Sequence, residues 1–219
     1  VLLASGMPPH IALATNKLQG TFGSGMASIN FIRKGFIQWS EVFAGVVYTF
    51  IGAALGTYAI LLMDASILAK IIPAMLVGIF IYTLLSPKMG EHDRHAYLGN
   101  HLFFLVFGIG LGFYDGFFGP GTGTFWTIAL VTLLGLNLKK ATAQTKVMNF
   151  TSNIVSLAVF LWSGNVLFMV GLLMGFGQIV GAYIGSNMVI KKEVKFIRTF
   201  FLIMVGLTLL KLIYSSYFA

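Results

Sequence analysis

Long apolar stretches follow one another along this chain, with only brief polar interruptions. Residues 41–63 and 67–86 are nearly free of charge, and 141–163, 166–190 and 194–216 repeat the pattern later in the chain. A stretch of about 20 apolar residues, wound as a helix, matches the hydrocarbon thickness of a bilayer. Charged residues make up 9% of the chain and hydrophobic ones 58%, with a mean hydropathy of +0.91. A soluble domain covers its surface with about 25% charged residues. There is too little charge here to wet an exterior, so the exterior is lipid. The expected fold class is an all-α polytopic membrane protein.

Residues 11–33 form a further span, threaded with small and polar residues. The run Lys88–Tyr97 (KMGEHDRHAY) is the most polar in the chain and reads as an aqueous loop. Residues 98–135 are too long for one span and are interrupted at 113–123, FYDGFFGPGTG, where glycine and Pro120 break helices. Two shorter helical segments meeting at an unwound point are expected there, which makes a discontinuous or re-entrant element.

A shift of 129 positions aligns the chain with itself. Lys17 then meets Lys146, Gly35 meets Gly164, and the pair Gly52/Gly56 meets Gly181/Gly185. The expected organisation is one membrane domain of two repeats, 1–97 and 98–219. Segment 98–129 has no counterpart in the first half, so the first repeat is expected to lack its N-terminal part. Fourteen Lys and Arg stand against six Asp and Glu. The basic residues fall in short loops, at Arg33/Lys34, Lys88/Arg94, Lys139/Lys140 and Lys191/Lys192/Lys195. The positive-inside rule places these loops on one side only if 98–135 crosses twice or enters and returns. The two repeats then have inverted topology, as in many secondary transporters.

Lys17 and Lys146 each sit several residues inside an apolar segment. A lysine at bilayer depth costs roughly 2.5–3.5 kcal/mol on insertion scales. Near a helix end it can snorkel to the headgroups, but two at equivalent positions, each heading a polar stripe, point to a lined cavity. Asn149 and Asn153 follow Lys146 on one face, and Gly20 and Ser24 follow Lys17. Asp115, in the interruption, can neutralise Lys146, cap the next helix or carry a proton. Gly119, Gly121 and Gly123, with Thr122, either free backbone amides for an anion at a half-helix start or serve as a packing kink. The Gly52/Gly56 and Gly181/Gly185 pairs read most simply as close helix contacts.

No cysteine is present, so disulfides and thiol catalysis are excluded. His92 and His95 lie in the polar loop without metal-binding spacing, and no nucleophile–base motif occurs. Neither enzyme chemistry, nor a metal or cofactor, nor nucleic-acid binding is expected.

The runs ATNKLQ (14–19), FIRKG (31–35), FYDGFFGPGTG (113–123) and KATAQTKVMNFTSN (140–153) resemble the TauE/SafE, or sulfite exporter, family of membrane permeases. The resemblance covers nearly the whole chain. It implies a multi-pass transporter of the bacterial inner membrane, built from two repeated halves, for sulfite or sulfonated organic anions. In that family the first repeat opens with its own Asp and glycine-rich motif, which this sequence does not contain. The expected mechanism is alternating access about a midplane site. Asn16, Lys17, Lys146, Asn149 and Asn153 would bind a small anion together with Gly119, Gly121, Thr122 and Gly123, and Asp115 would couple protons. A passive anion channel and a non-catalytic scaffold subunit are the competing readings. Substrate identity, coupling ion, direction and oligomeric state are not set by the sequence.

Overall fold

A computed structural model describes residues 2, 6–64, 66–67, 93 and 95–192. The spans expected at 67–86 and 194–216 lie essentially outside these residues, as does most of the polar loop. Among the described residues the chain is helical, with no strand. Helix α1 is Pro9–Arg33 and α2 is Trp39–Leu61. Then come α3, Asn100–Phe103, a π-helical turn at Phe104–Gly108, and α4, Ile109–Phe117. Helices α5 (Thr122–Thr132), α6 (Leu138–Trp162) and α7 (Phe168–Lys191) complete the set. Of these, α2 and α7 are long and apolar enough to cross a bilayer. Pro9 at the first position of α1 gives up an amide that the helix does not use.

The segment expected to break at 113–123 breaks more narrowly. Helix α4 continues through Asp115 to Phe117, and only Phe118–Gly121 is non-helical. The glycines at 112 and 116 do not end the helix because they face α2, where each packs directly on backbone at Thr49 and Ala53. The turn is made by Gly119 and Gly121, with φ of +94° and +81°, values that favour glycine. Tyr114 closes it by donating its hydroxyl to the Pro120 carbonyl at 2.7 Å. The chain then doubles back. Tyr97 N donates to Leu133 O at 2.8 Å, so the beginning and end of this hairpin lie side by side.

Contacts fix the helix directions. Leu18, Phe22, Gln178 and Ser186 mark α1 running parallel to α7, through Leu18 on Gly171, Phe22 on Gly175, Gly23 beside Gln178 and Asn30 bonded to Ser186. Helix α2 runs parallel to α6 in the same manner, with Gly45 against Met148 and Thr57 bonded to Ser156 at 2.7 Å. Helices α1 and α6 cross antiparallel, Gly20 lying beside Asn153 and Gly25 beside Phe150. The 129-residue shift carries the bounds of α1 onto those of α6, and left-handed Gly6 and Gly35 onto left-handed Gly135 and Gly164.

Two apolar clusters sit at opposite ends of the α1/α6 crossing. One gathers Phe31, Phe103, Phe104, Trp126 and Met148, and the π-helical turn lets adjacent Phe103 and Phe104 both be buried there. The other gathers Leu13, Leu18, Ile60, Phe118 and Phe160. Between them on both helices lies a polar band. Helices α2 and α4 are joined more tightly: a Cβ at Gly52 or Gly56 would run into the backbone of Ile109 or Phe113.

At the aqueous edge, Asp93 clips the polar loop to the start of α6. It accepts from Asn137 N and Nδ2 and from Lys140 Nζ, the last at 2.7 Å. Partial burial pushes its carboxyl up, but the hydrogen bonds from Lys140 and Asn137 and the charge of Lys140 outweigh this and hold it below its ordinary value.

Two outcomes follow for stability. Gly56→Ala should lower the thermal midpoint in detergent by the equivalent of about 1–3 kcal/mol, because backbone cannot give way. Gly110→Ala, where a Cβ meets nothing within 4 Å among the described residues, should not. Because the folded pKa of Asp93 lies below the unfolded one, its stabilisation is present at neutral pH and lost as acid protonates it below about pH 4. Asp93→Asn should therefore be less stable than the parent near neutrality by no more than about 1 kcal/mol, with the gap closing in acid and in high salt.

Candidate functional site

The polar band is built around one ion pair. Lys17 lies eight residues into α1, about 12 Å along the axis from its start. Its ammonium donates to Asp115 Oδ1 at 2.9 Å and to the Asp115 carbonyl oxygen. That carbonyl is available because α4 ends just beyond it: the amides of Phe118 and Gly119 both turn back to Tyr114 O. The other carboxylate oxygen accepts from the Ser152 hydroxyl of α6. The side chains of Lys17 and Asp115 are only 2% and 7% exposed. Asp115 thus ties α1, α4 and α6 together at one point.

Gly119 closes over this pair. A Cβ there would lie 2.9 Å from Asp115 Oδ1 and 3.2 Å from Lys17 Nζ, so the position demands glycine for space as well as for its φ. Gly123, at the start of α5, faces Asn149, whose Nδ2 a Cβ would meet at 3.1 Å. Asn149 Oδ1 is buried without a hydrogen-bond partner among the described residues. Asn153 packs on Gly20 and donates to Ser24 Oγ at 3.3 Å. The two stripes read from the sequence, Lys17–Gly20–Ser24 and Lys146–Asn149–Asn153, therefore do meet across the α1/α6 crossing at their distal ends.

The expected partner and setting of Asp115 are corrected. Asp115 neutralises Lys17, not Lys146, because the long Lys17 side chain reaches the C-terminal turn of α4, and Asp115 sits within a helix rather than in the unwound turn. Lys146 has no hydrogen-bond or ion-pair partner among the described residues. The residue is only half-buried. The Thr122 hydroxyl is spent on Gly119 O at 2.6 Å, and the amides of Thr122 and Thr124 bond back to the carbonyls of Gly119 and Gly121. Gly121 is the N-cap of α5, and the turn itself satisfies part of that helix start. Asn16 accepts from Gln19 one turn on, and no contact to the ion pair is seen. Gly181 and Gly185, unlike Gly52 and Gly56, have nothing within 4 Å among the described residues.

Ser152 went unnoticed in the sequence. It stands beside Thr151, whose hydroxyl bonds back to Val147 O, and its own hydroxyl also reaches Asn149 O at 3.1 Å within the helix, so nothing in the spacing marks it as a partner of Asp115.

Removing one member of a buried pair strands the other charge, at a cost of about 3–5 kcal/mol. Lys17→Met and Asp115→Asn should each lower the thermal midpoint strongly. The double variant should be more stable than either alone, and a double-mutant cycle in detergent reads the coupling directly.

The family model for the sulfite exporter TauE/SafE matches residues 1–212. A "Probable membrane transporter protein" of Haemophilus influenzae is 46% identical over 215 residues, 98% of this chain and 84% of the relative. "Probable membrane transporter protein YfcA" of Escherichia coli K12 is 43% identical over 216 residues, 99% of this chain and 80% of the relative. "Probable membrane transporter protein ORF9" of a Sinorhizobium species is 43% identical over 197 residues, 90% and 76% respectively. No solved structure matches the chain. Matched along almost its whole length by the family model, and by relatives named as membrane transporters, this chain belongs to the sulfite exporter TauE/SafE family.

Proposed function

We propose that the protein is a secondary transporter of small anions, sulfite or sulfonated organic anions, spanning the bacterial inner membrane several times. It works by alternating access of two inverted repeats, 1–97 and 98–219, with 98–135 as a re-entrant element. The observation that carries this reading is the buried Lys17–Asp115 pair between two apolar clusters. A membrane helix keeps such charge where it serves a path through the bilayer. The antiparallel run of α1 against α6, and the two parallel pairings of α1 with α7 and α2 with α6, support the inverted arrangement.

The chemistry follows from charge balance. With Asp115 ionised, Lys17 is neutralised and unavailable. A proton on Asp115 releases the Lys17 ammonium to an anionic oxygen, and Ser152, freed from the carboxylate, can donate to the same anion. Lys146 adds a second positive charge, and the amides of Asn149 and Asn153 supply neutral donors at the crossing. A sulfonate offers oxygens to several such donors at once, so each contributes a charge-assisted hydrogen bond.

Reconstituted flux of sulfite or a small sulfonate tests the reading. Lys146→Ala should reduce it roughly 10- to 100-fold, the value of about one charged hydrogen bond; unimpaired flux would remove that lysine from the mechanism. Asp115→Asn should abolish acceleration by an imposed pH gradient. Gradient-independent, unsaturable flux would mark a passive channel instead.

A further inference from the structure

The close pairings of the long helices run across the two halves of the chain, not within them. Helix α1 packs along α7 and α2 along α6, whereas among the described residues α1 scarcely touches α2 and α6 scarcely touches α7. A buried hydroxyl bolts each pair. Thr57 Oγ1 of α2 lies 2.7 Å from Ser156 Oγ of α6. Ser186 Oγ of α7 accepts from Asn30 Nδ2 of α1, also at 2.7 Å. All four residues are buried. The 129-residue shift carries Thr57 onto Ser186, so the hydroxyl stands at the same place in both halves.

We propose that the moving bodies of the carrier are these two pairs, α1 with α7 and α2 with α6, and that Thr57 and Ser156 are positioning residues that keep Asp115 with the second. The Lys17–Asp115 ion pair is then the latch between the bodies. This inference rests on the alternating-access reading above.

Asp115 belongs to the α2/α6 body by three routes. Helix α4, which bears it, meets α2 backbone to backbone. Ser152 of α6 bonds its carboxylate. Thr57 Oγ1 lies 3.2 Å from the carbonyl oxygen of Gly116, the next residue, while it reaches Ser156 one turn beyond Ser152 on the same face of α6. Lys17 stands on the other body, and its pair with Asp115 is the one ion pair between the two among the described residues. Other polar contacts between them sit at helix ends, as where Lys139 meets Ile190 O and His10 meets Met63 O.

The two kinds of contact answer differently to a proton. Lys17 is the charged side chain facing the Asp115 carboxylate, and the adjacent Tyr114 hydroxyl is turned to Pro120 O. A proton on Asp115 removes the charge that holds the ammonium. Thr57, Ser156 and the Gly116 carbonyl do not titrate, so their bridge persists. Lys17 then parts from Asp115 together with α1 and α7, while the α4 turn stays in register with Ser152. The carboxyl is thereby kept in place to recapture the same ammonium when it loses its proton.

The test uses the protein reconstituted in liposomes, whose residues 1–219 hold no cysteine of their own. Thr57→Cys/Ser156→Cys and Asn30→Cys/Ser186→Cys, each bridged by mercuric ion, should keep the flux of sulfite or a small sulfonate. Gly25→Cys/Phe150→Cys, bridged across the α1/α6 crossing, should lose it and regain it with excess dithiothreitol. Arrest by a bridge within either pair, or flux through the bridged crossing, would overturn the proposal. Thr57→Val should blunt acceleration by an imposed pH gradient while Thr57→Ser keeps it; equal behaviour of the two would remove Thr57 as a positioning residue. A second readout needs no flux. Spin labels at exposed Tyr58 and Leu161 read the α2/α6 pair, and labels at exposed Ile29 and Ile154 read the crossing. In Lys17→Met/Asp115→Asn, which lacks the latch, the first distance should hold and the second should shift or broaden. A shift in the first, or none in the second, sinks the two-body division. Distances that behave as expected in a protein that moves neither sulfite nor sulfonate would keep the bodies and refute the transport reading.

Discussion

The buried pair of Lys17 and Asp115 sets the conditions for everything around it. Two opposite charges with almost no solvent access rarely add net stability, because desolvation cancels most of their attraction. What they fix is geometry. The ammonium needs Asp115 Oδ1 and the Asp115 carbonyl together, so α4 must end where it does, and Gly119 must turn away without a side chain. Ser152 then fixes α6 against the same carboxylate. One aspartate thereby determines the register of three helices, and a shift of any one breaks a bond that no solvent replaces.

The rest of the architecture divides into stiff and yielding contacts. Helices α2 and α4 touch backbone to backbone through glycines at 52, 56, 112 and 116, leaving no layer of side chains to slide on. They behave as one body. The α1/α6 crossing is different. It is made by the amide of Asn153, the hydroxyl of Ser24 and the small Gly20, groups that can exchange partners at little cost. Under the proposed alternating access, a hinge belongs at such a crossing, with the two apolar clusters holding each side together while the band between them rearranges.

Much of this was legible in the sequence, and the misses have physical causes. Apolar length placed α1, α2, α6 and α7 within a few residues of their bounds, because in hydrocarbon only a helix satisfies its own backbone. The break in 98–135 was found, yet placed too broadly. Glycine reads as a helix breaker when its neighbours are unknown, but Gly116, inside the expected break, is a packing residue that lets α2 approach. Lys17 is buried as expected, Lys146 only half-buried, and the acid that could neutralise Lys146 pairs with Lys17 instead, because spacing cannot tell which of two lysines an acid reaches. That choice is made by the hairpin's path across α1. Ser152 was invisible because a serine in a helix declares nothing until a neighbour supplies an acceptor.

Selectivity under the proposed mechanism follows from the same pair. An ammonium left open in a polar band would attract any small anion, chloride included, and a carrier so built would leak. With Asp115 in place, an incoming anion must either displace the carboxylate, stranding a charge at about 3–5 kcal/mol, or arrive with a proton. Only a solute that makes several further bonds at once offsets that cost. The three oxygens of a sulfonate or sulfite can engage Lys17, Ser152 and a nearby amide together, whereas a spherical halide gains little from donors set in fixed directions. The acid that silences the lysine is thus also the filter: it raises the threshold for every anion and leaves the geometry of the donors to decide which one crosses it.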